Sequence, residues 1–279
     1  MEGLGQRIYR HIFYREQITK AIIKETVLEV THYTDTLFHF VTTRAPHVRF
    51  RDGEFLMIGL DNWSEKLQKS KPIMRAYSVA SPNHQDTLEF YSIKVQDGPL
   101  TSRLQHIKPG DEFLVNDKPV GTLVHANLNP GRNLYLLATG TGIAPFMSII
   151  RGIDTYEYYD NVILVWGTRI AKELAFRELL EGLNDDEIFS EVTEGKLKCY
   201  FTCTRETYEN EGRVTTAMYE NKVQDKLGLP ELSPLHDRVM ICGSMEMNIE
   251  LKEYLEEMGF TEGTNKTPGE FVIERAFVG

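Results

Sequence analysis

Cysteine is scarce in this chain: its 279 residues carry only Cys199, Cys203 and Cys242. Three thiols build no disulfide framework and fit a reducing, cytoplasmic compartment. They fall one short of the four ligands of an all-cysteine iron–sulfur cluster. The Cys199 and Cys203 spacing, with no paired histidines behind it, is not a zinc site either. No metal is therefore expected, and any electron chemistry requires an organic cofactor. Positive charge is also short, with 31 Lys and Arg against 41 Asp and Glu and a net charge of -10. That balance argues against nucleic-acid binding, which needs a basic surface to neutralise phosphate. No run approaches the roughly 18 apolar residues of a membrane span, so no membrane insertion is expected. Repeats and low-complexity runs are absent. The N-terminus MEGLGQRIYRHIFYREQ lacks the apolar h-region and cleavage site of a secretory signal. Residues 1–16 are expected to be an ordinary extension, a tail or a short helix.

What is present reads as two domains of a soluble globular protein, with 41% hydrophobic and 26% charged residues. From residue 17 to 126, short segments such as TLFHFVTT, EFLMIGL, MRAYSVAS and TLEFYSIKV are rich in β-branched and aromatic residues. Turn signals at Arg51-Asp52-Gly53, Pro82-Asn83 and Pro109-Gly110-Asp111 separate them. This spacing predicts an antiparallel β-barrel, with EFLVNDKPVGTLV as its last strand and one helical insert at Gly98–Leu104. From residue 127 to 279 the period changes. NLYLLA, NVILVWG, KLKCYFTC and DRVMICG are apolar strands, and amphipathic segments follow most of them. The alternation predicts a parallel α/β (Rossmann-like) sheet covered on both faces. The linker falls at Asn127-Leu128-Asn129-Pro130-Gly131.

Ligands of such sheets bind beyond the carboxyl ends of the strands, and these ends carry distinctive residues. Thr139-Gly140-Thr141-Gly142-Ile143-Ala144-Pro145 follows one strand and opens a helix, so its amides attract phosphate; a merely structural tight turn fits as well. Thr168-Arg169 and Thr204-Arg205 end the next two strands, with Arg213 eight residues on. These arginines suit an extra phosphate, such as the 2′-phosphate that separates NADP from NAD. Alternatively they are solvated and paired with Glu206 and Glu209. Cys242-Gly243-Ser244-Met245 closes the fourth strand, where the cysteine is either ligand-facing or a small core residue. In the barrel half, Arg75-Ala76-Tyr77-Ser78 sets Arg75 and Tyr77 on one strand face and Ala76 and Ser78 on the other; alone, it fits an ordinary exposed barrel strand as well. The Gly98–Ser102 turn offers a second set of helix-start amides.

In their order and spacing, these motifs resemble a bacterial ferredoxin (flavodoxin):NADP reductase of the plant-type superfamily. The resemblance covers about residues 17–279 and includes the ending Glu274-Arg275-Ala276-Phe277-Val278. It implies a barrel that binds FAD and a domain that binds NADP(H). On FAD, Tyr77 would pack against the flavin ring, with Ala76 beside it, and Arg75 would reach the pyrophosphate. The backbone of Tyr91, Ser92 and Ile93 would hold the ring edge, and Pro99, Leu100, Thr101 and Ser102 would cradle the phosphates. Thr141 would reach back to the flavin, Ala276 would cover its face and Phe277 would stack on the adenine. On NADP(H), Thr168, Arg169, Thr204, Arg205 and Arg213 would take the 2′-phosphate region. Gly142, Cys242, Gly243, Ser244 and Met245 would line the nicotinamide side. Ser78, Cys242, Glu274 and Ala276 would form the catalytic group, with Glu274 either a proton relay or a surface acid. The ending lacks the terminal aromatic of plastid members, which puts their displacement step in doubt here.

The resemblance also implies ferredoxin or flavodoxin as the electron partner; nothing in the sequence marks an obligate interface, so a monomer is the default expectation. Residues 44–75 are locally basic, and either acidic carriers are steered to them or the run is a solvated loop; residues 154–194 are densely acidic. Two other functions fit the same motifs. One is an NAD(P)H-linked flavin reductase serving an oxygenase or ferric chelates. The other is a non-catalytic FAD and nucleotide redox sensor.

Overall fold

The computed structural model describes residues 22–64 and 69–275. Residues 1–16 and the C-terminal Ala276 and Phe277 lie outside the described residues. The first half is a six-stranded antiparallel sheet built from β1 (Ile22–His32), β2 (Leu37–Thr43), β3 (Phe55–Leu60), β6 (Ile73–Ser78), β7 (Thr87–Ile93) and β8 (Glu112–Asn116). A two-stranded hairpin, β4 (Trp63–Ser64) and β5 (Lys69–Ser70), projects between β3 and β6. The sheet order is β6-β3-β8-β1-β2-β7, so β6 and β7 are its two edges. The curl brings these edges together without a ladder: the Ala80 amide donates to the Glu89 carbonyl at 2.8 Å. Tyr77 Oη and Ser92 Oγ meet at 3.0 Å. Apolar side chains alternate inward, and Phe38, Phe40, Phe90 and Phe113 fill the barrel core.

The predicted last barrel strand stops at Asn116. Asp117 and Pro119 interrupt it, since proline has no amide for a ladder, and only an isolated bridge, Phe55 to Val120, follows. The expected insert is one helical turn, α1 (Thr101–Leu104).

The second half is a five-stranded parallel sheet of β9 (Asn133–Thr139), β10 (Asn161–Thr168), β11 (Leu197–Cys203), β12 (Asp237–Gly243) and β13 (Phe271–Arg275), in the order β11-β10-β9-β12-β13. The hydrophobic pattern does not announce β13, which is short and ends in charged residues. Helices α2 (Ile143–Arg151), α3 (Ile153–Tyr158), α4 (Arg177–Gly182), α5 (Phe189–Thr193), α6 (Val214–Tyr219), α7 (Lys222–Leu227) and α8 (Met245–Glu257) complete the half. Both sheet faces are buried. Leu134, Leu136 and Ala138 of β9 pack on the α2 side, and Tyr135 and Leu137 pack toward α6 and α8. The α2-side core continues into the barrel through Leu37, Ala80, Tyr91 and Leu123, so one apolar layer joins the two sheets.

Candidate functional site

The chain order of the parallel sheet reverses at β9, which has β10 on one side and β12 on the other. Crevices at such reversals are where open α/β sheets take ligands. Two tight turns meet there. Gly140 sits at φ +53° with open space where a side chain would project, a left-handed backbone that favours glycine. Its carbonyl is held by the buried Trp166 indole at 3.0 Å. Gly142 lies so close to β12 that a Cβ would come within 1.9 Å of the Cys242 carbonyl. Ser244 caps α8 by accepting from the Met247 amide at 3.2 Å, and its own amide donates to Thr139 Oγ1 at 3.0 Å.

A narrow crevice of about 20 Å³ runs between the two sheets. Its barrel wall is Ala76, Tyr77 and Ser78 of β6, Tyr91, Ser92 and Ile93 of β7, and Thr101; its other wall is Thr141, Ala144 and Cys242. Both faces of β6 reach it because β6 is an edge strand. Tyr77 is braced by Ser92, and burial pushes its phenol up. Tyr91 donates to the Glu173 carbonyl at 3.1 Å. The Ser92 hydroxyl also donates to the Ile93 carbonyl, and the Thr101 hydroxyl to the Val95 carbonyl at 3.0 Å. Cys242 is 1% exposed. Burial, seconded by the Glu274 charge, raises its thiol well above the usual range, so it is a small neutral wall and not a nucleophile.

Glu274 lies opposite Cys242 in the β12–β13 register. It is not a surface acid. Its Oε1 accepts from the Thr122 amide and from Thr122 Oγ1 at 3.1 Å. Its Oε2 is buried without a partner among the described residues. Burial pushes its carboxyl up to about 7 against those hydrogen bonds.

A larger cleft of about 620 Å³ opens beside the crevice, and Tyr91, Ile93 and Thr141 line both. It gathers Thr168, Arg169, Thr204, Arg213, Gly243, Ser244 and Met245 from the strand ends. Beyond β10 and β11 the chains stay paired, the Thr204 amide donating to Thr168 and the Arg205 amide to Arg169. This sets the Arg169 and Arg205 backbones side by side, but only Arg169 of the two lines the cleft. The acids expected to neutralise them are engaged elsewhere. Glu206 accepts from the Ala171 amide, and Glu209 pairs with Arg177. Among the described residues neither Arg169 nor Arg205 has an ion-pair partner, whereas Arg213 pairs with Glu250 at 2.8 Å.

Some expected residues stand apart. Arg75 lines neither cavity and donates to the Met74 carbonyl at 2.8 Å. Leu100 is a barrel-core side chain, and Pro99 is exposed. The Ser102 amide is already donated to the Gly98 carbonyl at 3.1 Å, so the turn offers fewer free amides than the sequence pattern suggests. Within the basic stretch, Asp52 and Glu54 are buried, and Arg44 folds onto the carbonyls of Val48, Asn83 and Gln85. Arg49 and Lys71 stay exposed, while Lys66 lies outside the described residues. The cleft also takes Thr36, Leu37, Lys94 and Glu173, which no motif marks. Lys94 follows TLEFYSI directly, and a cation just past a strand end is the available signal.

Comparison with known proteins agrees with this architecture. A family model described as an oxidoreductase NAD-binding domain matches residues 136–252. The chain is 52% identical over 258 residues to a flavodoxin/ferredoxin–NADP reductase of Rhodobacter capsulatus, covering 91% of this chain and 93% of that protein. It is 50% identical over 256 residues to a ferredoxin–NADP reductase of Azotobacter vinelandii, covering 91% and 97%. Among solved structures, a ferredoxin NADP+ reductase from Neisseria gonorrhoeae with bound FAD and NADP aligns with a TM-score of 0.82 at 29% identity. That alignment covers 92% of this chain and 99% of the other.

Proposed function

Because the chain belongs to the ferredoxin (flavodoxin)–NADP reductase family, we propose that it is an FAD-dependent enzyme exchanging hydride with NADP(H) and single electrons with ferredoxin or flavodoxin. One observation carries this assignment: residues from β6, β7 and α1 meet the strand-end turns of the parallel sheet in one crevice, and that crevice opens into a cation-lined cleft. FAD, when bound, supplies the chemistry by accepting an electron pair and releasing electrons singly.

The donor set fits such a group. Tyr77 supplies an aromatic wall fixed by Ser92. The Ser78 and Thr141 hydroxyls have no intramolecular partner among the described residues, and both face the crevice. Arg75, Ala76 and Tyr77 would hold FAD, together with the Tyr91–Ile93 backbone and the turn from Pro99 to Ser102. The extra phosphate of NADP(H) would sit against Arg169, Thr204, Arg205 and Arg213, with Thr168 beneath. Lys94 adds a further cation for the dinucleotide. Gly142, Gly243, Ser244 and Met245 would bring backbone to the nicotinamide, with neutral Cys242 as a wall that leaves hydride transfer to the ring alone. Ser78 would hydrogen-bond near the reacting nitrogen, and Glu274 would hold an exchangeable proton behind Cys242. Ala276 and Phe277 would cover the flavin.

The barrel of residues 17–126 would thus carry the electron outlet, and residues 127–279 the nucleotide inlet. Both walls of the site come from one chain, which supports a monomer as the working unit. The three cysteines are free and support a cytoplasmic setting. Among the described residues no helix is long and apolar enough to cross a membrane.

The test is anaerobic reduction of purified ferredoxin and flavodoxin by NADPH with the FAD-loaded protein. Reduction of either carrier at micromolar concentration is expected. Rapid reduction of ferric chelates with neither carrier reduced would favour the free-standing flavin reductase instead.

A further inference from the structure

Helix α2 and strand β7 face each other across the junction of the two sheets. On α2, Ala144, Ser148 and Arg151 recur at i, i+4 and i+7 and share one face. Ala144 lines the crevice. Ser148 Oγ donates to Asp52 Oδ1 at 2.9 Å. Arg151 forks onto Glu89, at 2.8 Å to Oε2 and 3.2 Å to Oε1, and also donates to the Ala80 carbonyl. On β7, Glu89, Tyr91 and Ile93 alternate onto one face, and the latter two line the crevice. The surfaces that wall the crevice are therefore strapped to each other further along by one ion pair. Its side chains are only 15% and 10% exposed, so salt screens it little. Glu89 also accepts from Gln85 Nε2 at 2.9 Å, and His39 Nε2 lies 3.5 Å from its Oε2.

Arg151 lies about 10 Å along the helix from Ala144, at 1.5 Å rise per residue, too far to touch a ligand in the crevice. We propose that Arg151 is a positioning residue, whose ion pair with Glu89 sets the separation between the flavin wall on β7 and the nucleotide wall at the start of α2. This role rests on the flavin and nucleotide assignment made above. Hydride transfer needs reacting atoms about 3–3.5 Å apart, and an error of about 1 Å costs on the order of 100-fold. Loosening the strap spreads that separation while leaving the cleft's own contacts with NADPH in place. The rate constant at saturation should therefore fall, and affinity should not.

Two readouts on FAD-loaded wild type, Arg151→Met and Arg151→Lys test this. Anaerobic stopped flow follows flavin bleaching across NADPH concentrations. Pulsed dipolar spectroscopy on nitroxides introduced through Lys108→Cys and Lys226→Cys reports the separation of the two halves. Arg151→Met should lower the limiting rate by about 10-fold or more, keep half-saturating NADPH within about twofold and broaden the distance distribution. Arg151→Lys should fall between it and wild type. A wild-type limiting rate, or an unbroadened distribution, in Arg151→Met overturns the proposal. Should Arg151→Met lose FAD or fail to fold, Arg151→Lys and Glu89→Gln decide by the same readouts: slowing with broadening sustains the proposal, and wild-type values overturn it. Wild-type flavin that NADPH cannot bleach overturns the underlying assignment and the positioning role with it. Normal wild-type bleaching with unchanged variants overturns the positioning role alone.

Discussion

The crevice and the cleft adjoin, yet they are built on different physical terms. Most of the crevice's polar groups are spoken for: Tyr77 by Ser92, Tyr91 by the Glu173 carbonyl, Thr101 by the Val95 carbonyl. Its two walls come from different sheets and are tied by the buried Arg151–Glu89 pair. The cleft is some 620 Å³ and carries the exposed Arg169 and Arg213 on its lining, of which Arg169 lacks a counter-ion among the described residues. A preorganised, satisfied wall suits a group that stays, because little reorganisation accompanies its binding. Exposed cations beside a roomy cleft suit an anionic ligand that enters and leaves, since charge speeds its approach. On the assignment proposed above, one site would thus separate retention from exchange.

Substitutions should break these two regions in different ways. The largest effect is expected from Arg151→Met, which strands the Glu89 carboxylate in the interior. Loss of one partner of a buried pair costs about 3–5 kcal/mol, and a lowered urea midpoint would register it. Next comes Glu274. Its raised carboxyl keeps, between about 4.5 and about 7, a proton that the unfolded chain releases. Wild-type stability should therefore fall as pH rises through that window, by up to about 3 kcal/mol relative to Glu274→Gln. Urea titrations of both proteins on either side of the window would show converging or parallel curves. Gly142→Ala forces a methyl toward the Cys242 carbonyl, an overpacking that costs about 1–3 kcal/mol. Flavin content after gel filtration should drop with it. Arg169→Ala belongs to the cleft alone. Losing a charge-assisted contact should raise half-saturating NADPH about 10-fold while NADH, FAD content and the urea midpoint stay as they were.

Much of this arrangement is legible in the sequence because it is local. EFLMIGL and TLEFYSI fold as strands where alternation and flanking turns place them, and NLYLLATGTG puts its glycines directly past a buried strand. Strand ends then fall together by topology, which is why Thr168, Arg169, Thr204 and Cys242 can be named from position alone. The less legible parts depend on distant partners. Asp52 and Glu54 belong to a basic run in sequence, yet both are buried: Asp52 meets Asn83 and Ser148, and Glu54 takes Arg51. Arg151 and Glu89 are 62 residues apart, and nothing local marks either as half of a pair. The Gly98–Ser102 turn misleads in the opposite direction, since its motif is visible but the Gly98 carbonyl consumes the Ser102 amide. Lys94 carries no motif and owes its place in the cleft to the curl that brings β7 against the parallel sheet.

The separation of a retained flavin from an exchanging NADP(H) is tested most directly by anaerobic bleaching of the purified yellow protein with NADPH and with NADH at matched concentration. Flavin should survive gel filtration, and NADPH should bleach it fast and NADH much more slowly. Equal rates with the two nucleotides would contradict the role given to Arg169, Arg205 and Arg213. Bound flavin that neither nucleotide reduces would contradict the account as a whole.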